Sequence, residues 1–90
     1  MSLIKGDLES MRLMSRNLER QGDTVDTLLR ELRNQLHSTE WTGHAANQFR
    51  SSWQSEFEPA LSRMSEALHL GGREVDNRAR AMAHSQGDAY

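Results

Sequence analysis

Two long segments with helical periodicity flank the stretch Glu40-Trp41-Thr42-Gly43-His44 in the middle of the chain. In the first segment, apolar or small residues recur in alternating steps of four and three, which is the spacing of a heptad stripe. The stripe consists of Ile4, Leu8, Met11, Ser15, Leu18, Gly22, Val25, Leu29, Leu32 and Leu36. An unbroken stripe of this kind predicts a first helix over about residues 3–38.

Ser15 and Gly22 are the two small residues in this stripe. A glycine inside a helix costs about 1 kcal/mol relative to alanine, so Gly22 is a weak point if nothing compensates for it. Two interpretations stay open at this stage. Either the two positions are tolerated interruptions, or they mark a place where a neighbouring helix comes very close.

The second segment carries a similar stripe. Its members are Ala46, Phe49, Trp53, Phe57, Ala60 or Leu61, Met64, Leu68, Gly71, Val75, Ala79 and Met82. This stripe predicts a second helix over about residues 44–83 and a flexible tail over about residues 84–90. Pro59 predicts a kink near Ser55 to Pro59, because a proline removes a backbone hydrogen bond and clashes with the preceding turn. The pattern leaves open whether the helix is continuous through Pro59 and through Gly71-Gly72.

The connection over about residues 39–43 is too short for anything but an antiparallel hairpin. Thr42 or Gly43 is the expected N-cap of the second helix. Trp41 has two possible roles, as a plug at the end of the helices or as a part-exposed recognition residue. The predicted fold class is therefore all-α, with a helix-turn-helix hairpin as the single domain of a 90-residue chain.

A lone hairpin of this composition buries little apolar surface. Apolar residues make up 36% of the chain and there is no cysteine to form a disulfide, so small size calls for another source of stability. We expect a second hairpin to pack against this one and form a four-helix bundle dimer. The expected dimer interface comprises Leu8, Met11, Leu18, Val25, Leu29, Leu32, Leu36, Phe49, Trp53, Phe57, Leu61, Met64 and Leu68.

Several function classes are disfavoured by the same sequence. A net charge of -2, with both signs mixed along the chain, does not fit nucleic-acid binding. No phosphate loop, cysteine nucleophile or serine triad setting is present, so we expect no enzyme and no cofactor. The four histidines never stand four residues apart on one helix, so we expect no metal site. The first residues lack the apolar run and cleavage site of a signal peptide.

At this point the residues resemble the WXG superfamily, the early-secreted-antigen-like proteins of bacterial type VII (ESX) secretion. The resemblance rests on the length, on Trp41-Thr42-Gly43 between two matched helical segments, and on Gly43-His44-Ala45-Ala46 followed by Phe49. It extends over the whole chain. It implies a bacterial protein from an actinobacterium or another Gram-positive organism, associated with virulence and secreted without a cleavable signal peptide.

The resemblance also implies partners. Members of the superfamily pair with themselves or with a sister chain, and a membrane-bound, FtsK-like secretion ATPase exports the dimer. Trp41 and Gly43 would form one part of a composite export signal. The other part is a Tyr-x-x-x-Asp/Glu motif on a C-terminal helical tail.

The tail of this chain departs from that motif. Tyr90 is the last residue of the sequence, and the nearest substitute, His84 with Asp88, has histidine in place of tyrosine. In heterodimeric members one partner carries the tail signal and the other does not. We therefore expect a heterodimer with a sister chain that bears the signal, and a homodimer as the second option, with ATPase contact made through the dimer.

Three non-enzymatic alternatives compete with this interpretation. A DNA-binding helix-turn-helix needs short helices and a basic recognition face, which this chain lacks. A membrane-active amphipathic helix needs a polar face rich in lysine and arginine, and here both signs are mixed. A non-secreted coiled-coil adaptor or scaffold would share the helical stripes but has no need of Trp41 and Gly43. The last two remain the alternative functions.

Overall fold

A computed structural model describes the backbone of residues 2–88 and the side chains of residues 7–85. Helix α1 spans Ser2–Ser38, and after the turn helix α2 spans His44–Ser52. A five-residue π-helical segment, Trp53–Phe57, connects α2 directly to helix α3, which spans Glu58–Asp88. These three segments form a second arm antiparallel to α1, in a rod of 69 × 17 × 15 Å. The predicted all-α hairpin is confirmed.

The second arm is helical beyond its predicted end. Helix α3 ends at Asp88, so part of the segment expected to be a flexible tail continues the helix. Ala89 and Tyr90 lie outside the described residues. Among the helices described, none has a stretch that is both long enough and apolar enough to span a bilayer.

The π-helical segment ends at Phe57, two residues before Pro59. In a regular α-helix the proline ring would collide with the carbonyl of Ser55, four residues earlier, and the missing N–H would break one hydrogen bond. The wider turn changes this geometry, because the Glu58 N–H donates to the Trp53 carbonyl five residues earlier. A π turn absorbs one extra residue without ending the helix. The helical backbone is accordingly continuous through Pro59 and through Gly71-Gly72.

The extra residue changes which side chains of α3 face α1. Each residue of an α-helix advances the rotation by about 100°, so one inserted residue shifts the stripe by one position. Phe57 and Met64, expected on the inner stripe, are 45% and 53% exposed, whereas Ser65 is only 5% exposed. Phe49 is also largely outside. Of the three aromatic residues in the predicted stripe, Phe49 and Phe57 are thus exposed and Trp53 is buried.

Serine and glycine residues bring the two arms together in the middle of the hairpin. Buried Ser15 donates from its Oγ to the Gly72 carbonyl at 2.8 Å, and the Oγ of buried Ser65 lies 3.5 Å from the Gly22 carbonyl, while its hydroxyl donates to Asp26. In each helix the serine precedes the glycine by seven residues, so the two contacts mirror each other. The open question about Ser15 and Gly22 is thus resolved in favour of close helix approach.

Apolar burial is concentrated on either side of this polar middle. The buried apolar residues are Leu8, Leu29, Ala46, Trp53 and Ala79. No large side chain among those described is completely buried. Because burial of a whole leucine or phenylalanine side chain contributes about 1.5–3 kcal/mol, a hairpin whose described part buries only Leu8, Leu29 and Trp53 among its large apolar residues has a small reserve of stability.

Many large apolar side chains remain on the outside. They are Leu13, Met14, Leu28, Trp41, Phe49, Phe57, Met64 and Leu70, each more than 40% exposed. Isolated exposed apolar residues are ordinary on protein surfaces, but contiguous ones mark interaction sites. Trp41, Phe49 and Phe57 are contiguous, as described below.

An ion pair links the arms beside the π segment. Arg33 of α1 donates to Glu58 Oε1 from Nε at 3.0 Å and from Nη2 at 2.6 Å. Both side chains are partly exposed, and such pairs contribute at most about 1 kcal/mol.

The adjacent glycines of α3 give a matched test of close packing. An alanine Cβ at Gly72 would lie 2.9 Å from Glu19 Cγ and 3.0 Å from the Ser15 carbonyl oxygen. We expect Gly72→Ala to destabilise the hairpin by about 1–3 kcal/mol, because overpacking outweighs the gain in helix propensity. Urea unfolding followed by circular dichroism measures the change.

Gly71→Ala is the control. The nearest atom to a Cβ there is Leu18 Cδ1 at 3.7 Å, an ordinary contact. This variant is expected to be as stable as the native chain or more stable by up to about 1 kcal/mol. Equal stability of the two alanine variants would contradict the close-packing account.

Candidate binding surface at the turn

The turn is closed by hydrogen bonds at the end of α1. Ser38 donates from its Oγ to the Asn34 carbonyl at 2.8 Å, and the Thr39 N–H donates to the Gln35 carbonyl at 3.0 Å. These bonds satisfy carbonyl groups that the last helical turn leaves unpaired. Arg50 of α2 reaches back to the Thr39 carbonyl at 3.5 Å. The loop between the arms is therefore tied to both helices.

Gly43 directs the chain into α2. Its φ of 107° and ψ of 178° fall in a region that is essentially restricted to glycine. It is the N-cap of α2, and its carbonyl accepts the N–H of Asn47 at 3.0 Å. No atom lies within 4 Å of a Cβ built at this position. Glycine is thus required here by backbone conformation and not by lack of space.

Three aromatic side chains form a row along the outside of the turn and the second arm. The ring centroids of Trp41 and Phe49 are 5.9 Å apart at an interplanar angle of 50°, and those of Phe49 and Phe57 are 6.4 Å apart at 45°. These are ordinary aromatic pairing geometries. Each ring is 42–45% exposed. We call these three residues the aromatic row.

The π segment explains how Phe57 joins the row. Residues eight apart in a regular helix differ by about 80° in direction, because eight steps of about 100° overshoot two full turns. One extra residue in the π turn removes about 100° of rotation and leaves Phe49 and Phe57 about 20° apart. The same turn that accommodates Pro59 therefore aligns the two phenylalanines.

A groove of about 230 Å³ lies beside the aromatic row. Its lining comprises Leu32, Gln35, Leu36, Thr39, Trp41, Phe49, Arg50 and Trp53. Trp53 is 7% exposed and fills the end of the hairpin, whereas Trp41 is 42% exposed. Within one hairpin Trp53 is therefore the tryptophan that is buried between the helices. Trp41 is part-exposed, which is the position expected of a recognition residue.

The residues expected to form a dimer interface occupy three different environments. Leu8, Leu29 and Trp53 are buried within the hairpin itself. Phe49, Phe57 and Met64 are exposed. The half-buried members are Met11, Leu18, Val25, Leu32, Leu36, Leu61 and Leu68. The residues with most surface left for a partner are consequently on the second arm near the turn.

The two residues considered as a substitute tail signal lie at the end of α3. His84 is exposed on the helix. Asp88 is the last residue of α3, and its side chain is outside the described part. Their spacing of four residues gives them neighbouring positions on one helix face.

A second polar group of residues lies in the middle of the hairpin, and the sequence analysis did not identify it. His69 contacts Glu19 Oε2 through Nδ1 at 2.8 Å and Asp26 Oδ2 through Nε2 at 3.2 Å. Asp23 Oδ1 lies 3.5 Å from the same Nε2. Ser65 donates to the other Asp26 oxygen. We call these five residues the His69 cluster.

The contacts change the acidity of two groups in the cluster. The hydrogen bond with Glu19, followed by that with Asp26, raises the pKa of His69 above its ordinary value of 6.5. The hydrogen bond from Ser65, followed by that from His69, lowers the pKa of Asp26 below 3.8. Both shifts favour the charged forms of the two side chains.

The cluster has the arrangement of ion pairs. One ligand atom each from Asp23, Asp26 and His69 lies within 4.8 Å of the others. The Asp23 and Asp26 side chains are 76% and 48% exposed, and the imidazole already hydrogen bonds carboxylates through both ring nitrogens. A protonated imidazole that donates from both ring nitrogens to these carboxylates accounts for the geometry.

One signal in the sequence could have identified three of the five residues of the cluster. Glu19, Asp23 and Asp26 recur at steps of four and three, so they share one face of α1. Their partner His69 lies next to Leu68 of the predicted stripe and is not itself a member of it, so heptad counting does not identify it.

The family comparison agrees with the turn geometry. The sequence profile of the WXG100 family, described as proteins of 100 residues with WXG, matches residues 3–85. No curated protein and no solved structure was found to match the chain. The matched range includes Trp41 and Gly43 with both arms of the hairpin. The chain belongs to the WXG100 family.

Proposed function

We propose that the chain is a small secreted protein of type VII secretion that acts by binding other proteins, as one half of a four-helix dimer. Its membership in the WXG100 family supports the association with type VII secretion. The alternatives are a non-secreted coiled-coil scaffold and a membrane-active helical protein. Measurements of assembly and of export distinguish a secreted binding protein from these two alternatives.

The aromatic row carries the proposal of a binding function. Trp41, Phe49 and Phe57 are in consecutive ring contact and yet more than 40% exposed. Aromatic side chains of this kind supply large contact area and are enriched in the centres of protein interfaces. A second hairpin covering this row would bury the apolar surface that one hairpin leaves in water.

The groove beside Trp41 suits the tail of a partner. It is apolar at Leu32, Leu36 and Phe49 and has a cation at one edge, Arg50. A tail motif that combines tyrosine with an acidic residue would offer a ring to the apolar wall and a carboxylate to the arginine. Within residues 1–90 the nearest match to that motif, His84 with Asp88, has histidine in place of tyrosine. A heterodimer with a sister chain that bears the motif is therefore the preferred assembly, and a homodimer is the second.

Trp41 and Gly43 are proposed to serve export. Trp41 contributes to the row and to the groove wall, and Gly43 sets the backbone conformation that presents it. Together with the partner's tail they would form one composite surface for the secretion ATPase. In the same account the dimer, and not this chain alone, contacts the ATPase.

We expect Phe57→Gln to weaken dimer formation by about tenfold or more in the dissociation constant, since truncation of an interface aromatic costs more than about 1 kcal/mol. Helix content should be unchanged, because Phe57 is 45% exposed in the hairpin. Sedimentation equilibrium measures the effect on the purified chain or, if it is monomeric alone, on its complex with the co-expressed sister.

Leu70→Gln is the matched control for this experiment. Leu70 is 60% exposed but lies on α3 beside the His69 cluster, away from the row. Its substitution should change the dissociation constant less than that of Phe57. The proposed interface is wrong if Leu70→Gln disrupts assembly and Phe57→Gln does not.

We expect Trp41→Ala and Gly43→Ala to block export while leaving helix content largely intact. The Trp41 ring contacts Phe49 at the surface, and the strain of an alanine at Gly43 is local and about 1–3 kcal/mol. Immunoblots of culture supernatant and cell extract measure export. Thr42→Ala, an exposed change between the two positions, should be exported normally.

Normal secretion of both turn variants would refute the role of the motif in export. Loss of helix content in both would show instead that the turn residues serve folding. A scaffold that stays in the cell predicts no native chain in the supernatant.

A further inference from the structure

The His69 cluster places one imidazole between carboxylates of the opposite helix. His69 belongs to α3, and its two ring nitrogens contact Glu19 and Asp26 of α1 at 2.8 and 3.2 Å. Asp23 approaches the second nitrogen at 3.5 Å. These contacts span a sequence separation of more than forty residues, so they connect the two arms directly.

Only a protonated imidazole fits both contacts. A neutral imidazole has one N–H donor and one acceptor nitrogen, whereas ionised carboxylates only accept hydrogen bonds. With Glu19 at Nδ1 and Asp26 at Nε2, the neutral ring would set one lone pair against an acceptor oxygen. The imidazolium donates from both nitrogens and makes both bonds charge-assisted.

The ring is also held in place by packing. A Cβ at Gly22 would lie 2.7 Å from the His69 ring, so the ring sits against the bare backbone of α1. The His69 side chain is 20% exposed. Ser65, one turn earlier on α3, donates to Asp26 and keeps that carboxylate beside the ring. The imidazole is therefore seated between the helices and not extended into solvent.

The remaining charges around the ring come from both arms. Glu19, Asp23 and Asp26 face it from α1, and Arg30 of α1 acts on Asp26. From α3, Glu66 and Arg73 line the same open groove as His69. The groups closest to the ring nitrogens are all carboxylates, so the local field favours a positive ring.

We propose that His69 is a proton-operated clamp, which holds α1 and α3 together in mild acid and weakens that hold as the pH rises above neutrality. The clamp is a property of one hairpin and goes beyond the proposed function, since it requires neither a partner nor export. Gly22 and Ser65 are positioning residues for it.

The direction of the pH effect follows from the two pKa shifts. His69 has a raised pKa in the folded hairpin. Its contribution to folding stability is therefore complete below pH 6.5 and is lost as the pH rises through the raised pKa. Asp26 has a lowered pKa, so its contribution is complete above 3.8 and is lost as the pH falls through the lowered value. Both stability contributions are complete between pH 3.8 and pH 6.5. At alkaline pH only the contribution of His69 is lost.

Thermal unfolding of the full chain at pH 5.5 and 8.5 tests the clamp. We expect a higher Tm at pH 5.5 in the native chain, and a difference reduced by at least half in His69→Gln, which keeps a polar side chain without the titrating ring. His37→Gln is the matched control, because His37 is exposed near the turn and outside the cluster. It should keep the native difference.

Protein concentration is held constant and the series is repeated at tenfold dilution, so that a change in dimer formation is recognised as such. A His69→Gln variant with the full native difference would overturn the proposal. So would a loss of that difference in His37→Gln alone.

A second measurement does not depend on the stability of any variant. Titration of the imidazole signals of the native chain by nuclear magnetic resonance reports each histidine separately. We expect the His69 midpoint above 6.5, and a lower His69 midpoint in Glu19→Gln. A His69 midpoint at or below 6.5 would overturn the clamp.

Discussion

The close approach of the two arms at their middle is the contact on which the rest of the hairpin depends. Ser15 meets the Gly72 carbonyl and Ser65 meets the Gly22 carbonyl, each serine from the opposite helix. Glycine removes the side chain that would separate the backbones, and the Ser15 hydroxyl gains a buried acceptor. Because these contacts fix how far and in which register the helices lie, they also determine which side chains face inward and which remain for a partner.

Much of this architecture could be predicted from the sequence, and the part that could not has one physical cause. Heptad spacing identified both arms, and Trp41-Thr42-Gly43 identified the turn. Counting in threes and fours then placed Phe57 and Met64 inside, because it assumes a regular helix. The π segment before Pro59 adds one residue to a turn, and Ser65 takes the inner position. The spacing of apolar residues alone does not show that a turn contains an extra residue.

The same shift in register separates two surfaces on the second arm. Before Pro59 it aligns Phe49 with Phe57 and extends the row that begins at Trp41. After Pro59 it brings His69 onto Glu19, and with it a charged contact that no heptad pattern shows. The hairpin thus has an apolar surface near the turn that suits assembly, and a polar middle that responds to protons. The apolar surface is proposed to bind partners. The polar middle is proposed to stabilise the hairpin itself.

Whether the chain works by assembly can be measured directly as its solution mass. Light scattering on the purified full chain, alone and after co-expression with a WXG-type sister chain, distinguishes the cases. The account predicts a helical complex near twice the chain mass of 10.3 kDa in at least one of the two samples. A well-folded helical monomer in both samples, at concentrations where family-type dimers would be complete, would contradict it.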